Sequence, residues 1–429
     1  MSKTVLIVSY YWPPAGGPGV QRWLKFATYL SSNNITPIVY TPENPSYPIL
    51  DPELLKETPE VTVLKYPIRE PYKWAKLLSK KRTNTVSKGI ISNQHASLVE
   101  RFMLFIRGNF FIPDARKSWV KPSINYLSDY LSNNHVDAII TTGPPHSMHL
   151  IGLGLQKRFK LPWFADFRDP WTTIGYHRKL KLTTWAASKH KQLERLVLNS
   201  ADQIIVTSPS TKDEFSSITT KPIQVITNGY DQELNKTQTK GLDKRFSLSH
   251  IGSLLSGRNP QILWDSLHEL NSEIPGFKDD LLLRFVGFVA PEIKLSLAQS
   301  GLNDNVAYTG YVAHQKALEY QVNSQLLLLI EIDSQHTKCI IPGKLFEYFM
   351  AQRPILAIGP YGSDIEGLIQ ETNTGAFFYY LQKEALKNHI LKAYTLYKSN
   401  SLDVASTNLE RYSRTALTKD LAALIQEFI

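Results

Sequence analysis

A single cysteine, Cys339, stands among 429 residues, so the chain can form no internal disulfide and reads as a protein of a reducing compartment. Long apolar runs are missing as well: none approaches the roughly 18 residues that a membrane-spanning helix needs. The N-terminal run "TVLIVSYY" is short and is soon followed by Pro13 and Pro14, a poor match to a secretory leader. There is no repeat of fixed period and no low-complexity tract. Asp-x-Asp does not occur, and His146 with His149 gives too few of the ligands a zinc ion takes. No metal and no other cofactor is therefore expected, and the expected location is the cytosol, free or peripheral to a membrane.

The length suits two or three domains, each able to bury a core. With 42% hydrophobic and 20% charged residues, the composition is that of an ordinary globular protein rather than a disordered one. Charge is unevenly spread. Between Lys65 and Lys121 thirteen Lys and Arg face only Glu70, Glu100 and Asp114, a surplus as large as the +10 of the whole chain. Inside this stretch, "YKWAKLLSKKR" and "RFMLFIRGNFF" interleave cations with aromatic and aliphatic residues, a mixture that suits the interface of an anionic membrane. A solvated helical insertion covering its own domain is the plainer alternative. Nucleic acid is not expected as a partner, since no binding motif accompanies the patch.

Short β-type runs alternate with amphipathic helical stretches, the pattern of α/β domains with parallel sheets. "TVLIVSY", "TPIVY", "TVLKYP", "DAIITT", "PWFADF", "QIIVTS" and "IQVIT" predict a first series of strands. "FSLSHIG", "LLLRFVG", "NVAYTG", "QLLLLIEI", "PILAIG" and "GAFFYY" predict a second. A helix after the first strand places Val20, Trp23, Leu24, Ala27 and Leu30 on one face. The polar "DQELNKTQTKGLDKR" reads as a linker. The expected architecture is two doubly wound, Rossmann-like domains facing across a cleft, with ligands beyond the carboxyl ends of the strands.

Gly16, Gly17 and Gly19 stand where the first strand hands over to its helix. They fit either a phosphate cradle at a helix N-terminus or simply a tight turn. Neither G-x-G-x-x-G nor the Lys-Ser/Thr end of a P-loop is present. In "PGKLFEYFMAQRPIL", Lys344 and Glu347 lie three apart on a predicted helix. A cation at a helix N-terminus opposes the dipole and makes sense beside a bound anion such as a diphosphate, the glutamate then accepting from sugar hydroxyls. The alternative is an exposed i,i+3 salt bridge. "HIGSLLSGRNP" adds Gly252 at a strand end and Arg258, while "TTGPPHS" adds His146 and "DFRDPW" adds Asp169.

These motifs, with "VITNGYD" and "WPPAGGPGVQR", resemble the retaining glycosyltransferases of family 4, and among them bacterial members that build surface polysaccharides. The resemblance implies a GT-B architecture: residues 1–231 as an acceptor-binding domain with a basic insertion at about 66–121, 232–245 as linker, and 246–410 as the NDP-sugar-binding domain. Residues 411–429 would form a helix packing back on the first domain. It also implies that Gly17, within the loop of Gly16 and Gly19, offers its N–H to the donor phosphates. Arg258 and Lys344, beside Gly252 and Leu345, would neutralise the diphosphate leaving group, and Glu347 would hold the ribose. His146 would lie near the transferred sugar, and Asp169 would orient His146 or an acceptor. The implied partners are an NDP-sugar donor, a lipid-linked or glycan acceptor and an anionic membrane surface. One departure stands out: where the family has a first glutamate, eight positions before Glu347, this chain has Cys339, which implies an unusual or amino sugar. A sugar-nucleotide epimerase of the same architecture and a non-catalytic NDP-sugar-binding subunit are the competing readings.

Overall fold

The computed structural model describes residues 2–58, 60–70, 98–178, 180–231 and 241–429. Trp74, Leu77, Leu78, Lys80, Lys81 and Arg82 of the basic insertion, and most of the expected linker, lie outside the described residues. The chain forms two compact units, Met1–Thr227 with Arg414–Ile429, and Asn228–Ser413. The division falls at Thr227 rather than after residue 231 for a local reason. Tyr230 donates its N–H to Tyr412 O (3.1 Å) and its hydroxyl to Leu409 O (3.0 Å), which fastens this turn to the second unit.

The first unit is built on β1 (Lys3–Val8), β2 (Ile35–Pro42), β3 (Thr62–Tyr66), β4 (Ala138–Gly143), β5 (Trp163–Phe167), β6 (Gln203–Val206) and β7 (Ile223–Val225). Their order across the sheet is β3-β2-β1-β4-β5-β6-β7, and every pairing is parallel. A parallel sheet is covered on both faces, so its strands read as continuous apolar runs. Val5 and Ile7 of β1 accordingly enter one core and Leu6 and Val8 the other.

In the second unit β8 (Phe246–Ile251), β9 (Leu281–Val286), β10 (Val306–Gly310), β11 (Leu326–Ile330), β12 (Ile355–Gly359) and β13 (Gly375–Tyr379) are again all parallel, in the order β10-β9-β8-β11-β12-β13. Leu326, Leu328 and Ile330 of β11 face one core, Leu327 and Leu329 the other. All the strands expected from the sequence form. In each sheet the direction of strand addition reverses once, between β1 and β4 and between β8 and β11. That reversal opens a crevice at the carboxyl ends of the two strands.

The helices that carry or brace the candidate site residues are α1 (Pro18–Leu30), α2 (Leu98–Phe110), α3 (Ser147–Phe159), α4 (Thr184–Ser200), α5 (His314–Asn323), α6 (Gly343–Ala351) and α7 (Arg414–Gln426). Proline at the first position of α1 is pre-set for helical φ and lacks an N–H that would go unpaired. Val20, Trp23, Leu24, Ala27 and Leu30 are buried, in the same core as Leu417, Leu421, Ala422 and Ile425 of α7. Burying each large side chain contributes roughly 1.5–3 kcal/mol, which holds the end of the chain on the first unit. Arg414 to Gln21 Oε1 (2.9 Å) and Gln426 to Asn33 O (3.1 Å) fix its register.

Candidate functional site

β8 ends at Ile251, and Gly252 turns the chain with φ +110°, a conformation that favours glycine. An added Cβ there would lie 3.1 Å from Lys344 Nζ, so the same glycine leaves room for the lysine. Lys344 is the second residue of α6, a helix with no side-chain cap and no acid in its first turn. Side chains on a helix lean toward its N-terminus, and Nζ comes to 3.1 Å from His250 Nε2. His250 Nδ1 lies 3.1 Å from Leu328 O. Nδ1 therefore carries the proton, and Nε2 accepts from the ammonium. Burial first, then the charges of Lys344 and Arg258, hold the His250 pKa well below its usual value, so the ring is neutral. Burial of the ammonium lowers Lys344 to about 8, with Glu331 opposing that fall and Arg258 adding to it.

Glu331 follows β11 directly and is 3% exposed. Its Oε2 accepts from Arg258 Nη2 at 3.1 Å. Burial pushes the Glu331 carboxyl up, while Arg258 and Lys344 pull it down. Glu331 Oε1 and Arg258 Nε are buried with no hydrogen-bond partner. Two cations thus flank a buried carboxylate where the second sheet reverses. The sequence points to Gly252, Arg258 and Lys344 but not to His250 or Glu331, both of which sit in runs that read simply as strand. The available sign is a glutamate closing the otherwise aliphatic "LLLLI".

Lys344 and Glu347 form no ion pair among the described residues; Glu347 instead accepts from Gln321 Nε2 of α5 at 3.0 Å. The i,i+3 salt bridge is therefore not why the two residues are there. Leu345 is fully buried in the core beneath α6, and its N–H donates to Pro342 O at 3.0 Å.

In the first unit the three glycines do three different things. Gly17 has φ +104°, with nothing within 4 Å of where a Cβ would be. Backbone angle, rather than crowding, is what requires glycine there. Among the described residues its N–H has no backbone acceptor. Gly16 packs on Ile49 and Asp51, and Gly19 lies against the guanidinium of Arg168. Arg168 donates from Nε to Gly143 O (3.3 Å) and from Nη2 to Pro144 O, pinning the glycine loop to the end of β4. The motif "DFRDPW" stands out in the sequence through Asp169, yet it is the neighbouring arginine that makes these contacts.

His146 immediately precedes α3 and is buried, its ring stacked on Trp171 at 4.6 Å and 4°. Both ring nitrogens are buried without a partner. Burial, then the neighbouring His149, keeps the ring neutral. Asp169 therefore does not orient His146 by a hydrogen bond; Trp171 does so by stacking. Burial pushes the Asp169 carboxyl up against the pull of Arg168. Asp114, from "IPDARKSW", accepts from Ser147 N and Ser147 Oγ, both at 2.8 Å, and so fixes the start of α3. Arg22 of "GGPGVQR" is not at the site surface but in a buried ion pair with Asp166 (2.9 Å). Asp166 also accepts from Trp23 (2.8 Å) and Thr142 (2.7 Å), locking α1 to β4 and β5.

Residues 92–234 match the family model described as Glycosyltransferase Family 4. No curated protein matches the sequence. Among solved structures, the apo form of WaaB, a lipopolysaccharide outer core galactosyltransferase, is similar with TM-score 0.60 and 14% identity, each chain covered over 100%. The N-terminal domain of Candida albicans trehalose-6-phosphate phosphatase has TM-score 0.64 and 13% identity, covering 100% of this chain and 97% of its own. A putative UDP-N-acetylglucosamine 2-epimerase from Listeria monocytogenes has TM-score 0.55 and 11% identity, with 100% and 96% covered. At these identities the likeness shows the fold: two Rossmann-like domains of GT-B type.

Proposed function

We propose that the chain is a retaining glycosyltransferase that moves a sugar from an NDP-sugar to a lipid-linked or polysaccharide acceptor in cell-surface glycan assembly. The observation that carries this reading is the pair of cations Arg258 and Lys344 at the strand reversal of the second sheet, with Glu347 one turn further along α6. The match to the family 4 model supports the same chemistry.

On this reading Arg258 and Lys344 receive the diphosphate as the bond to the sugar breaks, where negative charge develops on the leaving oxygen. Fixed positive charge aimed at that point stabilises the transition state and needs no rearrangement during the reaction. Glu347 accepts from the ribose hydroxyls, and no resident metal is needed. The departing phosphate oxygen takes the proton of the acceptor hydroxyl, which attacks the same face, so the anomeric configuration is kept. In the first unit Gly17 N–H is an open donor for phosphate. Neutral His146 offers both a hydrogen-bond donor and an acceptor to sugar hydroxyls.

Docking on an anionic membrane is part of the proposal. Phe102 and Phe110 of α2 and Trp185 of α4 are exposed at 63%, 63% and 67%, and Arg101, Lys181, Lys189 and Lys191 on or beside these helices are exposed too. Exposed aromatics interspersed with exposed cations along these segments suit a headgroup interface. The epimerase reading has the Listeria likeness in its favour, and NDP-sugar consumption with no acceptor present would select it. A thermal-shift panel of UDP, GDP, ADP and their sugars tests the main reading. Stabilisation by one nucleotide series, through mass action, supports it, and stabilisation by none rules it out.

A further inference from the structure

Resting on the reading that Arg258 and Lys344 receive a diphosphate, we infer that His250 and Glu331 are positioning residues: they hold the two cations in their working orientation before any ligand arrives.

A histidine and a glutamate at the buried ends of two aliphatic strands are costly unless each is hydrogen-bonded. Each has one side-chain partner among the described residues, and in both cases it is a site cation. His250 meets Lys344 at 3.1 Å, and Glu331 meets Arg258 at 3.1 Å. The path from the sheet to the lysine is short. Parallel pairing sets β8 beside β11, Leu328 O accepts from the Nδ1–H of His250, and the lone pair left on Nε2 accepts one N–H of Lys344. The remaining ammonium hydrogens have no hydrogen-bond partner among the described residues. Arg258 likewise gives one N–H to Glu331 and keeps Nε unpaired. Each cation is therefore anchored by one bond while its other donors stay free. A long flexible side chain would otherwise have to be ordered by the ligand itself, at a cost in affinity and rate. Glu331 has a second effect, because its carboxylate offsets part of the charge the two cations would otherwise concentrate in the site.

Calorimetry with inorganic pyrophosphate, which carries the diphosphate without base or sugar, tests this. His250→Phe keeps a ring but loses the acceptor, and Glu331→Ala loses the anchor of Arg258. His250→Phe is expected to weaken pyrophosphate binding about tenfold, a modest value for a misplaced charged group, and Glu331→Ala to bind about tenfold more weakly than Glu331→Gln, which removes the same negative charge but keeps an acceptor. His250→Gln and Glu331→Gln, which retain an acceptor, should recover most of the affinity. A merely structural role would not be rescued in this way. The groups facing Lys344 are His250, Glu331, Arg258 and Glu347. With the His250 acceptor gone, the loss of binding at alkaline pH should begin at lower pH. If His250→Phe does not fold, Glu331→Ala and the two Gln variants decide the matter. A folded His250→Phe protein with parental affinity, together with Glu331→Ala binding as tightly as Glu331→Gln, overturns the inference, while the diphosphate reading stands if Lys344→Ala still loses binding. Should Lys344→Ala and Arg258→Ala also bind pyrophosphate as well as the parent, the diphosphate reading falls with it.

Discussion

The guanidinium of Arg168 occupies the space beside Gly19: its Nη1 sits where an added Cβ would stand. The arginine is not free to swing aside, being bonded to Gly143 O and Pro144 O. Gly19→Ala should therefore cost about 1–3 kcal/mol of stability, as overpacking does. In an Arg168→Ala background the clash is gone, and alanine at a helical position is preferred over glycine by up to about 1 kcal/mol. The same substitution should then be neutral or stabilising. Urea unfolding of the four proteins gives the coupling directly. Simple additivity would mean that Arg168 and Gly19 do not share that space in solution.

Lys344→Ala and Arg258→Ala should each lower turnover on the order of 10²-fold or more, the usual cost of removing a preorganised charge at a leaving group. Arg258→Ala also strands Glu331 as a buried carboxylate, so Arg258→Lys is the cleaner variant, and it should fall between parent and alanine. Steady-state rates with donor and acceptor check this. Near-parental rates in both alanine variants would overturn the diphosphate assignment.

Glu347→Ala should act mainly on donor affinity, because the proposed ribose contact would be made equally in ground and transition states and so appear in KM. With Gln321 as its one side-chain hydrogen-bond partner among the described residues, the glutamate holds little of the fold. Its loss should leave the unfolding midpoint within a few degrees of the parent. A collapsed fold with unchanged KM would make it a structural residue.

Lys344 also sets a pH dependence in which binding and stability run in opposite directions. Its ammonium titrates at about 8 in the fold against an ordinary 10.5. As pH rises through about 8 the charge is lost and nucleotide affinity should fall, approaching about tenfold per pH unit. Between those two values the unfolded chain holds the extra proton, so this residue's contribution to stability rises with pH over the same window. Donor affinity measured from about pH 7 to about 9.5, a span that brackets the folded titration, should show the fall in the parent and not in Lys344→Arg, whose charge persists. The same fall in both proteins would assign the titration to another group.

Strand positions are legible because a doubly covered parallel sheet writes itself as short aliphatic runs, and all of them form. The site is legible where it breaks local rules: glycine at a strand end, a lysine opening a helix. His250 and Arg168 break none, and Glu331 leaves only the mark of an acid closing an aliphatic run. A histidine inside "SLSHI" or a glutamate after "LLLLI" looks like an ordinary strand residue until β8 and β11, far apart in sequence, are set side by side. Asp166 and Asp169 fit their motif equally well, and only the fold shows Asp166 taken up by Arg22, Trp23 and Thr142. Residue 231 looks like the domain boundary because polarity changes there, whereas the backbone bond of Tyr230 to Tyr412 is long-range and leaves no local mark.

The proposed membrane docking turns on aromatic residues as much as on charge. Gly108 of α2 packs on Leu180 and Leu182, where a Cβ would lie 2.6–2.9 Å from its neighbours, so the buried side of this helix is committed to the first unit. Phe102, Phe110 and Trp185 are left facing out, and a solvated surface gains nothing from them. Each Lys or Arg close to an anionic surface contributes about 1 kcal/mol, and inserted aromatics add apolar burial that salt does not screen. Binding to vesicles containing phosphatidylglycerol is therefore expected, with little to neutral phosphatidylcholine, and it should weaken as salt shortens the screening length below about 8 Å. Replacing Lys80, Lys81 and Arg82 by Glu should reduce the salt-sensitive part. Phe102→Ala, Phe110→Ala and Trp185→Ala together should remove the part that persists at high salt. Co-sedimentation separates the two contributions. If neither set changes binding, or both lipids bind alike, these helices are a solvated cover, and the acceptor reaches the enzyme from solution rather than from a bilayer.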